Sequence, residues 1–162
     1  MKIMAVDPGK TGSAVMLDSD YQEAIYHNFK FDKNNVFCHK PFYSMIMQLD
    51  PDIIIMEKVH GRGGMGANSV FTFGFATGQI LTAIKFTEIP FKHITPQSWQ
   101  KVAHEGIGSK LTAKERSMAA FHNLNPHRPI GDRPKHDIVD AFLIAHTHLT
   151  TFHRWIFKEY QL

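Results

Sequence analysis

Four acidic residues of this 162-residue chain stand where their type and spacing could do chemistry: Asp7, Glu57, Asp137 and Asp140. Asp7 closes a short apolar run from Lys2. Glu57 closes Asp52-Ile53-Ile54-Ile55-Met56-Glu57, the kind of continuous β-branched run expected of a strand buried on both faces. Strands that enter a sheet in parallel end at the same edge, so the two carboxylates can converge there. In open α/β sheets that edge is where ligands bind. Asp137 and Asp140, three residues apart, share one face of a final helix. They flank an apolar stripe of Ile138, Phe142, Ala145, Leu149 and Phe152 that would dock the helix on the sheet. Four carboxylates in one place repel each other, and divalent cations would neutralise them. Oxygen-only ligands suit Mg²⁺ or Mn²⁺. Two such ions about 4 Å apart activate a water and stabilise the leaving oxygen in phosphodiester cleavage. Taken singly, each acid has a plainer reading as a helix cap or a solvated strand end, and Asp137 would favour a helix dipole.

The elements that must hold these acids follow from local pattern. Residues 2–7 read as a strand, and Pro8-Gly9-Lys10-Thr11-Gly12 as a turn. The turn leads into another strand and not a helix, so it is no dinucleotide fingerprint. Residues 13–17 and 23–31 complete an antiparallel meander. Residues 41–49 form a helix with Phe42, Met45, Ile46 and Leu49 on one face. After Glu57 comes a glycine-rich loop, His60 to Ala67. Asn68 or Ser69 would then cap a helix reaching about Phe86. Residues 91–94 are a short strand, and Pro96 opens a short helix containing Trp99 and Lys101. Gly106-Ile107-Gly108 ends it. Thr112 would cap a helix over 113–124, and the last helix runs from near Lys135 to about Phe157. This order predicts a mixed α/β sheet with a leading meander, in one domain spanning 1–162.

Composition narrows the partners. Uninterrupted apolar runs, such as Ile53 to Met56, are only a few residues long, far short of the roughly 20 that span a bilayer. An acidic residue at position 7 interrupts any signal-like stretch, so secretion is not expected. The single cysteine, Cys38, excludes an intramolecular disulfide and a cysteine-based zinc site. A cytoplasmic location is therefore expected. The net charge is only +3, but residues 85–135 hold nine Lys/Arg against four Asp/Glu, a local +5. A basic segment on a near-neutral body points to a polyanion, or to an ordinary solvated surface. Ser13, Cys38 and the histidines form no nucleophile–base pattern. His136 reads as a ligand or a supporting partner of the last acids, or as a plain surface or core histidine.

These motifs carry a resemblance. Ile3-Met4-Ala5-Val6-Asp7-Pro8-Gly9, Met56-Glu57-x-Val59, Phe73-Gly74-x-Ala76-x-Gly78, Lys101 ahead of Gly106-Ile107-Gly108-Ser109, and Asp137-x-x-Asp140-Ala141 occur in order over nearly the whole chain. In this the sequence resembles the RuvC-type Holliday-junction resolvases of the RNase H-like nuclease superfamily. The resemblance implies an α/β, RNase H-like fold: a five-stranded mixed sheet flanked by helices on both faces. It implies catalytic and metal-ligating carboxylates at Asp7, Glu57, Asp137 and Asp140, holding two Mg²⁺ or Mn²⁺ ions. It implies functional lysines at Lys101 and Lys114, and further DNA contacts at Lys58, His60, Arg62 and Lys110. It also implies a homodimer that nicks a four-way junction symmetrically, with no small-molecule cofactor and no membrane.

The chain departs from the bacterial pattern in a longer, glycine-richer loop after Glu57. His60 stands where bacterial members carry a stacking aromatic, and extra residues separate Gly108 from Lys114. These features look more like the bacteriophage-encoded branch, which would place the protein in a host cytoplasm. Two alternatives remain open at this level: another RNase H-like nuclease acting on forks, flaps or RNA–DNA hybrids, and a non-catalytic junction-binding module.

Overall fold

Successive side chains of a strand point to opposite faces, and in the first strand both faces are buried. In β1 (Lys2–Asp7), Ile3 and Ala5 enter one apolar core while Met4 and Val6 enter another. A strand of this kind needs helices on both sides, and the computed structural model has them. It describes residues 1–19, 24–59, 64–124 and 134–159, with side chains through residue 151. His60 and Arg62, residues 20–23 and residues 125–133 fall outside the described residues.

β1 pairs antiparallel with β2 (Ser13–Asp18), which pairs antiparallel with β3 (Ala24–Asn28). On its other side β1 pairs in parallel with β4 (Ile53–Glu57), and β4 in parallel with β5 (Phe91–Ile94). The sheet order is β3-β2-β1-β4-β5. One face is covered by α1 (His39–Leu49) and α2 (Ala67–Lys85), which bury Phe42, Ile46, Ile80 and Ile84 against Met4, Val6, Ile54 and Met56. The other is covered by α3 (Pro96–Ala103), α4 (Ala113–Leu124) and α5 (His136–Glu159). These bury Trp99, Phe121, Phe142 and Leu149 against Ile3, Ala5, Leu17 and Ile55. Among the described residues no helix is long and apolar enough to cross a membrane.

The mixed five-stranded sheet with helices on both faces is as the sequence implies. Local boundaries differ. β3 ends at Asn28, short of Phe31, because Phe29 leaves the sheet to pack edge-on against Phe37 and Phe42, with ring centroids at 5.6 and 5.2 Å. Phe31 keeps only an isolated bridge to Phe37. α1 starts two residues before Pro41, which a first helical turn accommodates because its N–H groups have no intrahelical acceptor. Neither Asn68 nor Ser69 caps α2. The cap is Gly66, which contributes no side-chain hydrogen bond, and both polar residues sit inside the first turn. Thr112 does cap α4, in a reciprocal arrangement. Glu115 N–H donates to Thr112 Oγ1 at 3.3 Å, and Thr112 N–H donates to Glu115 Oε2 at 2.8 Å.

Candidate active site

Strand parity selects the face on which the acids fall. Asp7 continues the Ile3, Ala5 series, and Glu57 continues from Ile55, so both lie on the side covered by α3, α4 and α5. The parallel register pairs Val6 with Met56, which makes Asp7 and Glu57 neighbours at the next step. The chain leaves Asp7 through a tight turn closed by Gly12 N–H to the Gly9 carbonyl at 3.1 Å. A Cβ at Gly12 would overlap the Asp7 carbonyl oxygen, so that position takes only glycine. The Phe73 ring of α2 packs over Gly9.

α5 crosses β1 and β2 on its buried stripe of Ile138, Phe142, Ala145 and Leu149, which brings its first turns over the ends of β1 and β4. Asp137 and Asp140 thereby reach the strand acids. The consequence is electrostatic: burial pushes the Asp7 carboxyl well above the usual carboxylate range, and the negative charges of Glu57, Asp140 and Asp137 push it further. Burial also raises Asp140, against the pull of His136 and the Ser117 hydroxyl. The four sequence-predicted acids thus form one interacting group.

Glu57 and Asp140 are each held by a neighbour. Glu57 Oε1 accepts the Trp99 indole N–H at 2.8 Å. Asp140 Oδ2 lies 3.0 Å from His136 Nδ1, one helical turn away. Asp140 Oδ1 and His136 Nε2 are buried with no hydrogen-bond partner. Behind them His104, itself buried, shares a 3.1 Å hydrogen bond with the Ser117 hydroxyl. Trp99, His104 and Ser117 carried no sequence signal of their own. His136 is legible in the sequence as a ligand or supporting partner of the last acids or as a plain histidine, and the structure places it against Asp140.

The donor set fits a hard divalent cation. Every candidate ligand oxygen is a carboxylate oxygen, one of them is a buried orphan, and the mutual repulsion at Asp7 is what a cation would relieve. Among the described residues, no group of three or more His, Cys, Asp or Glu side chains is drawn into a formed metal cage.

Lys58 follows Glu57 directly, its N–H donating to the Ile94 carbonyl at 2.7 Å. Lys101 sits on α3, Lys110 in the following turn and Lys114 in the first turn of α4. All four are exposed, and among the described residues none makes an ion pair. They are available to an external anion.

This strand order, with helices on both faces, is an RNase H-like α/β fold. Within it, the chain has the fold of the RuvC-type resolvases, in agreement with the motif resemblance. The structure of Thermus thermophilus RuvC superposes with a TM-score of 0.65 at 21% identity, over 91% of this chain and 93% of that one. The fowlpox virus Holliday junction resolvase gives 0.60 at 14% identity, over 94% and 99%. The yeast mitochondrial resolvase Ydc2 gives 0.55 at 14%, over 91% and 78%. At these identities the likeness is one of fold. No family model and no curated protein sequence matches the chain.

Proposed function

We propose that the chain is a Mg²⁺- or Mn²⁺-dependent, structure-selective DNA endonuclease that resolves Holliday junctions by paired symmetric nicks. The observation that supports this reading is geometric: Asp7 and Glu57 end two adjacent parallel strands on the face that α5 covers, and Asp137 and Asp140 stand in the first turns of that helix. An acidic cluster beside a basic, exposed segment is a poor design for DNA binding alone, because uncompensated carboxylates repel phosphate. It is a sound design for a site that recruits cations and DNA together. Two bound Mg²⁺ ions would supply a water acidic enough to attack at neutral pH and a counter-charge for the leaving oxygen. Asp7, Glu57, Asp137 and Asp140 would hold them. Lys101 and Lys114 would contact the scissile or adjacent phosphates as compact point charges. Lys58 and Lys110 extend that track. His60 and Arg62, in the glycine-rich loop, would approach the crossover, where an imidazole can stack on a base.

Symmetric nicking needs two sites, and α2 offers a surface for a second copy. Phe71 and Phe75 are 73% and 46% exposed and stack on each other at 6.1 Å. They border an apolar groove of about 600 Å³ along α2 that reaches His39. A two-fold axis through this face would bury both rings in a homodimer. The solved complexes of Thermus thermophilus RuvC and of the fowlpox resolvase with Holliday junction DNA support a branched DNA partner. The glycine-rich loop supports assignment to the phage-encoded branch and hence to a host cytoplasm.

The test is cleavage in Mg²⁺ of four-way, forked, flapped, RNA–DNA hybrid and linear duplex substrates of matched sequence. Paired nicks on the four-way junction well above all others are expected. Preference for the hybrid or the fork would reassign the substrate within the same fold, and binding without cleavage would make the chain a junction-binding module.

A further inference from the structure

The fold places a buried indole directly behind one of the candidate ligand carboxylates. Ile94, the last residue of β5, pairs with Glu57, the last residue of β4. Thr95 then caps α3, its hydroxyl accepting the Ser98 N–H at 3.3 Å, and Pro96 opens the helix. The chain therefore reverses immediately beside Glu57, and one turn of helix delivers Trp99 beneath it. Trp99 is fully buried, and its N–H donates to Glu57 Oε1 at 2.8 Å. The same ring stands edge-on to His104 at 5.8 Å, and His104 is bonded to Ser117 beside Asp140. Lys101, exposed, is two residues further along α3.

A buried indole N–H needs an acceptor, and many acceptors would serve. Here the acceptor is a carboxylate that the site needs in a defined orientation. With Oε1 anchored, rotation of the carboxylate is restricted and the range of directions open to Oε2 is narrowed. Groups that orient a ligand from behind are worth about 10–100-fold in metal affinity or activity. Resting on the nuclease reading above, we propose that Trp99 is a positioning residue: its indole N–H fixes the Glu57 carboxylate for divalent-cation binding. The helix carrying it also carries Lys101.

The experiment measures Mn²⁺ binding to the full-length protein without DNA, by the loss of the free Mn²⁺ signal in electron paramagnetic resonance. Wild type, Trp99→Phe, Glu57→Gln and the double variant are compared, with thermal melts for each. Trp99→Phe keeps an aromatic ring and removes the N–H. On the order of tenfold weaker Mn²⁺ binding is expected. In the Glu57→Gln background the same change should weaken binding no further. Junction cleavage should need correspondingly more Mn²⁺, with the rate at saturating metal largely recovered. A second measurement keeps the idea testable if Trp99→Phe fails to fold. In ¹⁵N-labelled protein with Trp155→Phe, the Trp99 indole N–H resonance should shift on Mg²⁺ addition and on Glu57→Gln. Unchanged Mn²⁺ affinity in a folded Trp99→Phe, an equal loss in the Glu57→Gln background, or an indole resonance indifferent to Mg²⁺ overturns this inference alone. Mn²⁺ binding that depends on Trp99 in a chain that cleaves no nucleic acid overturns the nuclease reading and leaves the positioning role standing. A wild type that binds no Mn²⁺ overturns both.

Discussion

His136 Nδ1 lies 3.0 Å from Asp140 Oδ2, an i to i+4 pair across one turn of α5, while His136 Nε2 and Asp140 Oδ1 are both buried without partners. The imidazole therefore fixes one carboxylate oxygen and leaves the other to be satisfied from the site. Removing the ring frees Asp140 to rotate. His136→Ala should lower metal-dependent cleavage about 10–100-fold, with junction affinity in EDTA unchanged. Cleavage at the wild-type rate in a folded variant would make the pair incidental.

The raised Asp7 carboxyl predicts how stability responds to pH. In the unfolded chain Asp7 ionises near its ordinary 3.8, and in the folded chain well above it. Between these two values the native state binds more protons than the unfolded state, so stability falls as pH rises through that window. The penalty is absent below the unfolded value and complete above the folded one. Mg²⁺ should offset it. Asp7→Asn, which removes the charge, should therefore melt higher than wild type at neutral pH without metal, by ~2–4 °C for each kcal/mol relieved. Mg²⁺ should stabilise the wild type more than the variant. Calorimetric melts at several pH values check this, and a lower melting temperature for metal-free Asp7→Asn would count against the repulsion.

Strand parity explains why so much of the site was legible in the sequence. An apolar strand buried on both faces fixes which face its terminal acid takes, and Asp7 and Glu57 end two such strands. An i, i+3 pair beside an apolar stripe fixes the other two acids in the same way. The supporting residues follow no such rule. Trp99 reads as one more core aromatic until the β5–α3 reversal sets it under Glu57. Ser117 and His104 are polar residues whose burial depends on how α3 and α4 pack on α5. The early end of β3 was hidden for a similar reason: Phe29 suits a strand locally, and only its packing on Phe37 and Phe42 removes it.

The exposed rings on α2 predict the assembly. Phe71 and Phe75 stack nearly parallel on the solvent side of the helix, while its buried contacts come from Ala76, Ile80, Ala83 and Ile84. Phe71→Glu together with Phe75→Glu should therefore leave the fold intact and place like charges across the two-fold contact. Sedimentation at micromolar concentration should show dimer for the wild type and monomer for the variant, with paired nicking reduced to single nicks. A monomeric wild type that still cuts both strands in concert would rule out this interface.

Lys101 is exposed and makes no ion pair among the described residues, so its charge is available to phosphate. Lys101→Ala should weaken junction binding and reduce the slope of log affinity against log salt by about 1. Its effect on binding should be similar for different sequences, because a phosphate contact carries no base information. A sequence-dependent loss would place Lys101 at a base edge instead.

Asp140→Asn gives the sharpest test of the candidate site. The substitution keeps volume and one oxygen but removes the charge, so burial is less costly and the metal-binding group is weaker. Metal-dependent cleavage should fall by orders of magnitude, since activation of the water and stabilisation of the leaving oxygen depend on the same carboxylates. Junction binding should persist or strengthen, because a negative charge facing phosphate is gone and the basic segment is untouched. Glu57→Gln should behave alike. Asp50 and Asp52 are the controls, at the opposite end of β4. Asp50 closes α1 in a left-handed conformation that asparagine also accepts, and Asp52 Oδ2 accepts the Lys2 N–H at 2.7 Å, a role an amide oxygen can fill. Asn at either position should leave cleavage near wild type. If Asp140→Asn cuts junctions at the wild-type rate in Mg²⁺, Asp140 is no ligand. If it fails to fold while the two controls fold, its carboxylate serves the structure through His136.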